Sequence, residues 1–122
     1  MTPIILVDDQ PIANFITKKL LQNAGYIENI KDFTDAFIAL EEVKQVQNSI
    51  ILLDLNMPGM SGWEFMDAMQ NLGLENRVII LSSSTSEIDI ARAKEYPYVM
   101  DYVVKPLNKT KFIKMAPLLE MD

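Results

Sequence analysis

The sequence predicts a doubly wound α/β domain, a parallel sheet of five strands with helices on both faces. Short apolar, mostly β-branched or leucine-rich runs recur along the chain, and each ends at a polar or charged residue. Stretches with helical apolar spacing separate those runs. Such regular alternation implies right-handed crossovers, which lay each helix across the sheet. A length of 122 residues at 49% hydrophobic content suits one buried core and excludes a second full domain.

Ile4-Ile5-Leu6-Val7 is the first expected strand, buried on both faces and stopping at Asp8-Asp9. Beyond Pro11, the spacing of Ile12, Phe15, Ile16 and Leu20 predicts a helix with that apolar face inward, and Gly25 stands where a left-handed stop is wanted. Ile30 to Phe33 is a more polar second strand; Thr34 is the expected cap of a helix burying Ala36, Ala39, Leu40 and Val43. Ile50-Ile51-Leu52-Leu53 repeats the first pattern and ends at Asp54. Asn56 to Gly62 is a loop by composition, and Phe65, Ala68, Met69 and Leu72 mark the third helix. Val78-Ile79-Ile80-Leu81 is the fourth strand. Ser84 with Glu87 reads as a capping box for a helix over roughly 87–95, whose thin stripe is Ile88 and Ala91. Val99 to Val104 is the fifth strand, broken by Lys105-Pro106; a last helix carries Phe112, Ile113 and Ala116 and is disturbed at Pro117.

Seventeen acidic against eleven basic residues give a net charge of −6, which argues against nucleic acid as a direct partner. The absence of cysteine and histidine excludes thiol nucleophiles, disulfides, thiolate metal sites, imidazole bases and phosphohistidine carriers. Chemistry is left to carboxylates, hydroxyls and lysine. Met1-Thr2-Pro3 runs into the first apolar tetrad without a basic leader, and no apolar stretch reaches spanning length, so a cytoplasmic protein without membrane contact is expected.

Parallel sheets bind ligands at the carboxyl ends of their strands. Here those ends are Asp8-Asp9, Asp54, Ser82 and Lys105, so three carboxylates, a hydroxyl and an ammonium are expected to meet. Crowded acids repel one another unless a cation sits among them, and an all-oxygen donor set suits Mg²⁺. A lysine opposite the metal completes the positive charge that phosphoryl transfer needs, with Ser82 as hydrogen-bond donor. Asp54 is then the candidate nucleophile, forming an aspartyl phosphate on the protein itself.

These residues resemble the receiver domain of two-component response regulators, the CheY-like family. The resemblance covers nearly the whole chain and rests on Val7-Asp8-Asp9, Asp54-Leu55-Asn56-Met57-Pro58-Gly59-Met60-Ser61-Gly62, Leu81-Ser82-Ser83 and Tyr102-Val103-Val104-Lys105-Pro106. It implies one receiver domain over residues 1–122, of flavodoxin-like architecture with strand order 2-1-3-4-5. It implies that Asp54 accepts phosphate from a sensor histidine kinase or a phosphotransfer protein. Mg²⁺, or Mn²⁺, would be held by Asp9 and Asp54 directly, by Asp8 mainly through water, and by the backbone carbonyl of Asn56. Lys105 resembles the phosphate-contacting lysine, Ser82 the switch hydroxyl, and Tyr102 the aromatic that responds to it. Asn56 and Ser84 resemble positions that tune phosphate lifetime, and Lys105-Pro106 resembles the family's cis peptide. Ser82 stands where threonine is commoner and lacks its rotamer-restricting methyl. Ser61 replaces a frequent aspartate and keeps the capping role. Glu95 to Met100 is slightly longer than the usual turn and lacks its glycine.

Taken singly, the same residues have plainer readings: Asp8-Asp9 as helix caps, Asp54 as a turn aspartate, Lys105 as a surface lysine, Tyr102 as core packing. Met57, Met60, Met66 and Met69 read as flexible core filler. Among functions, a degenerate receiver acting as a phosphorylation-independent interaction module ranks second. An aspartyl-phosphate phosphohydrolase lacks a cap domain and an acid–base residue, and a flavin carrier lacks the phosphate loop, since Asp8-Asp9-Gln10-Pro11 stands in its place. The expected device is a phosphorylation switch acting on the helix-4, strand-5, helix-5 surface. Its expected output is another protein, from a monomer or a phosphorylation-dependent dimer; the protein catalyses only its own phosphorylation and dephosphorylation.

Overall fold

The structure, a computed structural model, describes residues 2–120; Met1, Met121 and Asp122, at the ends of the expected 1–122 domain, lie outside the described residues. Strands and helices alternate as β1 (Ile4–Val7), α1 (Pro11–Asn23), β2 (Ile30–Phe33), α2 (Ala36–Gln45), β3 (Ile50–Asp54), α3 (Gly62–Asn71), β4 (Arg77–Ser82), α4 (Glu87–Ala93), β5 (Val99–Val104) and α5 (Lys109–Met115). A 3₁₀ turn over Ala116–Glu120 comes last, where Pro117 ends regular helix. All five strands are parallel, in the order β2-β1-β3-β4-β5.

Side chains on a strand alternate between faces, so each central strand feeds two cores. Ile4, Leu6, Ile50, Leu52, Ile79, Leu81 and Val103 pack with Leu21 of α1 and with Phe112 and Met115 of α5. Ile5, Val7, Ile51, Leu53, Val78 and Ile80 pack with α2, α3 and α4 through Ala39, Val43, Phe65, Met66, Met69 and Ala93. Met57 and Met60 pack against this second core, so the methionines are filler as expected. Between β4 and β5 the register shifts: Val78 faces Val99 but Ile79 faces Asp101, leaving Met100 as an additional residue.

Several local expectations are corrected. On α1, Ile12, Phe15 and Ile16 are 62%, 55% and 45% exposed, while Asn14, Thr17 and Leu21 are buried. The inward face is apolar at Leu21 but polar in its first two turns, where it serves backbone: Asn14 Nδ2 donates to the carbonyls of Asp8 (3.1 Å) and Phe33 (3.0 Å), and the Thr17 hydroxyl donates to Ala13 O. Asp35, not Thr34, caps α2, accepting from the N–H groups of Phe37 and Ile38. Ser86, not Ser84, caps α4, because the Ser84 hydroxyl is engaged elsewhere. Ile88 and Ala91 face outward on α4 and Ala93 faces in; Leu72 and Ile113 are likewise exposed. Ser61 does form the capping box of α3 with Glu64, and Gly25 ends α1 with φ +98°.

Candidate functional site

Parallel pairing aligns the strand ends. Val7 pairs with Leu53, Asp54 with Leu81, and Ser82 with Val104, so the residues just past each strand emerge at one edge. Asp8 and Asp54 are buried there at 5% and 6% exposure, with Asp9 half-buried beside them. Carboxylate oxygens of Asp8, Asp9 and Asp54 lie within 4.8 Å of one another. Neither acid of the first pair caps α1. The N-cap is Gln10, with no side-chain cap bond, and Asp8 Oδ1 accepts the Gln10 N–H at 3.0 Å.

Lys105 enters the cluster from the end of β5, anchored by its N–H donating to Ser82 O at 2.8 Å. Its Nζ is ion-paired with Asp8 Oδ2 and lies 3.5 Å from Asp54 Oδ1. The Lys105–Pro106 peptide bond is cis. Burial pushes the Asp54 carboxyl up from 3.8 to about 6; Lys105 and the Asn56 N–H hold it down, while Asp8 and Asp9 push it further up. The Asn56 N–H donates to Asp54 Oδ1 at 3.4 Å, and the Asn56 side chain is exposed. A compact set of three acids with a single ammonium is under-neutralised, and hard oxygen donors so disposed fit a divalent cation such as Mg²⁺.

Ser82 is fully buried, and its Oγ accepts the Ser84 N–H at 3.1 Å. Tyr102 stands back from the acids on β5, half-buried against the α2–α3–α4 core, and its hydroxyl donates to Ser84 O at 2.9 Å. Ser84 itself lies on the β4–α4 loop, outside the acid cluster. The structure therefore brings Asp8, Asp9, Asp54 and Lys105 together at the strand ends and links Ser82 to Tyr102 through Ser84.

Two supporting residues had no assigned role in the sequence. Asn14 ties the end of β1 to the end of β2 beneath Asp8, and its only sequence signal is a polar residue on a helix that must bury a face. Gly62 opens α3 where a Cβ would lie 2.5 Å from Asp54 O and 2.7 Å from Leu55 Cα, so only glycine allows that helix so close to the site strand. Its N–H also donates to Leu55 O at 2.9 Å.

A five-stranded 2-1-3-4-5 sheet with an acid cluster and a lysine at its carboxyl edge defines a receiver-type α/β protein. Residues 4–117 match the family described as the response regulator receiver domain, and the chain belongs to that family, whose members are phosphoacceptors of two-component signalling. It is 33% identical over 90 residues to the nitrate/nitrite response regulator protein NarL of Escherichia coli (strain K12), covering 74% of this chain and 42% of that protein. It is 29% identical over 103 residues to protein-glutamate methylesterase/protein-glutamine glutaminase 5 of Myxococcus xanthus, covering 84% and 30%. The chain thus spans less than half the length of these relatives. Among solved structures, the two component response regulator from Cytophaga hutchinsonii superposes with a TM-score of 0.82 at 29% identity, covering 98% of this chain and 96% of that one. Vibrio cholerae chemotaxis protein CheY4 does so with a TM-score of 0.82 at 27% identity, covering 98% of each. Among the described residues no helix is long and apolar enough to cross a membrane.

Proposed function

We infer that the chain is a phosphorylation switch in which Asp54 is the phosphoacceptor. The observation that carries this is the convergence of Asp8, Asp9 and Asp54 on one point with Lys105 Nζ 3.5 Å from Asp54. A carboxylate oxygen of Asp54 attacks phosphorus, the bond from phosphorus to the donor's imidazole nitrogen breaks, and the departing imidazole takes up a proton. Lys105 offers its ammonium to the transferring phosphoryl oxygens, having exchanged part of its pairing with Asp8 for that contact. Mg²⁺, or Mn²⁺, would be held by Asp9, Asp54, Asp8 and the Asn56 carbonyl, and supplies charge that offsets the acids and the phosphoryl group. The Ser82 hydroxyl turns to donate to the phosphorylated Asp54, Tyr102 moves with it, and the α4–β5–α5 face repacks for a protein partner. Asn56 and Ser84 flank this reaction and set how long the acyl phosphate lasts.

The donor is a sensor histidine kinase or a phosphotransfer protein working in the cytoplasm. Exposed Ile12 and Ile16 on α1 line a cleft of about 290 Å³ that reaches Asp8 and Lys105, and give it an apolar landing next to the acceptor. Neither nucleic acid nor membrane is a direct partner, and the protein is a monomer or dimerises on phosphorylation.

The test is intact-mass analysis after incubation with acetyl phosphate, with and without Mg²⁺, and with Asp54→Asn as control. One Mg²⁺-dependent phosphate adduct that disappears in Asp54→Asn is expected. No adduct at saturating donor and metal would instead assign a degenerate receiver that binds partners without phosphorylation.

A further inference from the structure

The β4–α4 loop carries a chain of hydrogen bonds centred on Ser84. Its N–H donates to Ser82 Oγ at 3.1 Å, and its carbonyl accepts from the Tyr102 hydroxyl at 2.9 Å. Its own hydroxyl donates to Asp89 Oδ2 at 2.7 Å while accepting the Ser86 N–H at 3.2 Å. Asp89 lies in the first turn of α4, whose cap Ser86 accepts from the N–H groups of Ile88 and Asp89. Two bonds of Ser84 therefore lead back toward the site, and a third leads into a helix of the proposed output surface.

We propose that Asp89 is a positioning residue that, acting through Ser84, fixes the Ser82 hydroxyl and the Tyr102 ring and couples both to α4. This goes beyond the phosphoacceptor assignment but rests on it for the role of Ser82. Ser82 has no β-methyl to restrain its rotamer, so its direction is set by what its oxygen accepts, namely the Ser84 N–H. That amide is only as fixed as the loop bearing it, and Ser83, Thr85 and Ser86 around it are exposed. The bond from the Ser84 hydroxyl to a carboxylate is charge-assisted, a class roughly twice as strong as neutral hydrogen bonds. It is accordingly the tie that sets the loop. When Ser82 turns toward a phosphorylated Asp54, its bond to the Ser84 amide has to be remade, and Ser84 transmits the displacement to Asp89.

Trp63, the sole tryptophan, reports on α4. The Arg92 guanidinium of α4 lies 4.3 Å from its ring centroid, and Tyr96 stacks on it at 5.9 Å. An acid in the first turn of a helix also favours the helix end by charge alone. Asparagine separates the two roles, because it keeps an acceptor oxygen for Ser84 and drops the charge.

The experiment compares wild type, Asp89→Ala, Asp89→Asn and Ser84→Ala by amide hydrogen exchange at Ser84, and by Trp63 emission on phosphorylation with acetyl phosphate and Mg²⁺. Losing the tie should speed Ser84 exchange on the order of tenfold in Asp89→Ala and Ser84→Ala, and leave Asp89→Asn within about threefold of wild type. Both Asp89 variants should take up phosphate, with the Trp63 response reduced by roughly half or more in Asp89→Ala alone; Ser84→Ala is read by exchange without phosphate. Unchanged Ser84 exchange in Asp89→Ala overturns the proposal, as does Asp89→Asn behaving like Asp89→Ala, which would assign Asp89 to helix-end charge. Absence of phosphate uptake in wild type would instead overturn the phosphoacceptor assignment, and the exchange comparison, made without phosphate, still decides the role of Asp89.

Discussion

Lys105 and Asp8 stand 97 residues apart in the chain and meet as an ion pair at the carboxyl edge of the sheet, their side chains 22% and 7% exposed. The same ammonium lies 3.5 Å from Asp54, so one cation restrains two carboxylates from well-separated parts of the sequence. Lys105→Met should therefore push the Asp54 carboxyl above its value of about 6, since Lys105 is the larger of the two influences holding it down. Carboxyl-carbon NMR titration of metal-free protein reads this directly. An unchanged titration would mean that solvent, not Lys105, neutralises the cluster.

The raised Asp54 value also fixes a sign for stability. Between 3.8 and about 6 the native state keeps a proton that the unfolded chain has released, so this group makes folding less favourable as pH rises through that window, and the deficit persists above it. In the presence of a chelator, Asp54→Asn should stabilise the protein by about 1–3 kcal/mol near neutral pH and by much less below about pH 4. Urea denaturation at the two pH values checks it, and an equal gain at both would show that the effect is not one of ionisation.

Asn14 supplies a third test. Its amide satisfies two carbonyls at the ends of β1 and β2, one of them that of Asp8. Asn14→Leu removes both donations and should cost about 1–3 kcal/mol, because the buried Asp8 carbonyl loses this donor, whereas Phe33 O keeps the Asp8 N–H at 3.1 Å. Asn14→Ala should cost a similar amount with less steric disturbance. Chemical denaturation gives the values, and a loss under about 0.5 kcal/mol for both would mean that water replaces the amide.

The outline of the fold was legible because its central strands leave little choice. Ile4-Ile5-Leu6-Val7 and Ile50-Ile51-Leu52-Leu53 are buried on both faces, and their flanking acids fall at one edge once the sheet is parallel. The inward face of α1 was not legible. Apolar periodicity points to Ile12, Phe15 and Ile16, yet the buried positions are Asn14, Thr17 and Leu21: Leu21 fills the core, Thr17 bonds Ala13 O of its own helix, and Asn14 serves strand-end carbonyls that a linear pattern does not display. Caps went astray by one or two positions for a related reason. Thr34 beside Asp35, and Ser84 beside Ser86, are chemically able caps, and only the chain path decides between them. Asp89 carries no motif at all, and its contact with Ser84 depends on how α4 starts after the loop.

The additional residue at Met100 has a consequence for the phase of the strand beyond it. Strand side chains alternate, so one more residue ahead of Tyr102 would, in an unbroken ladder, exchange Tyr102 and Val103 between the two cores and turn everything after them. The irregularity takes up that step, and beyond it Ile80 again faces Tyr102, Leu81 faces Val103 and Ser82 faces Val104. Lys105 thus arrives at the acids in phase, with its N–H on Ser82 O. The α4–β5 turn is thereby uncoupled in register from the acidic edge: the step is absorbed before Tyr102, and the strand keeps its parity from there to Lys105.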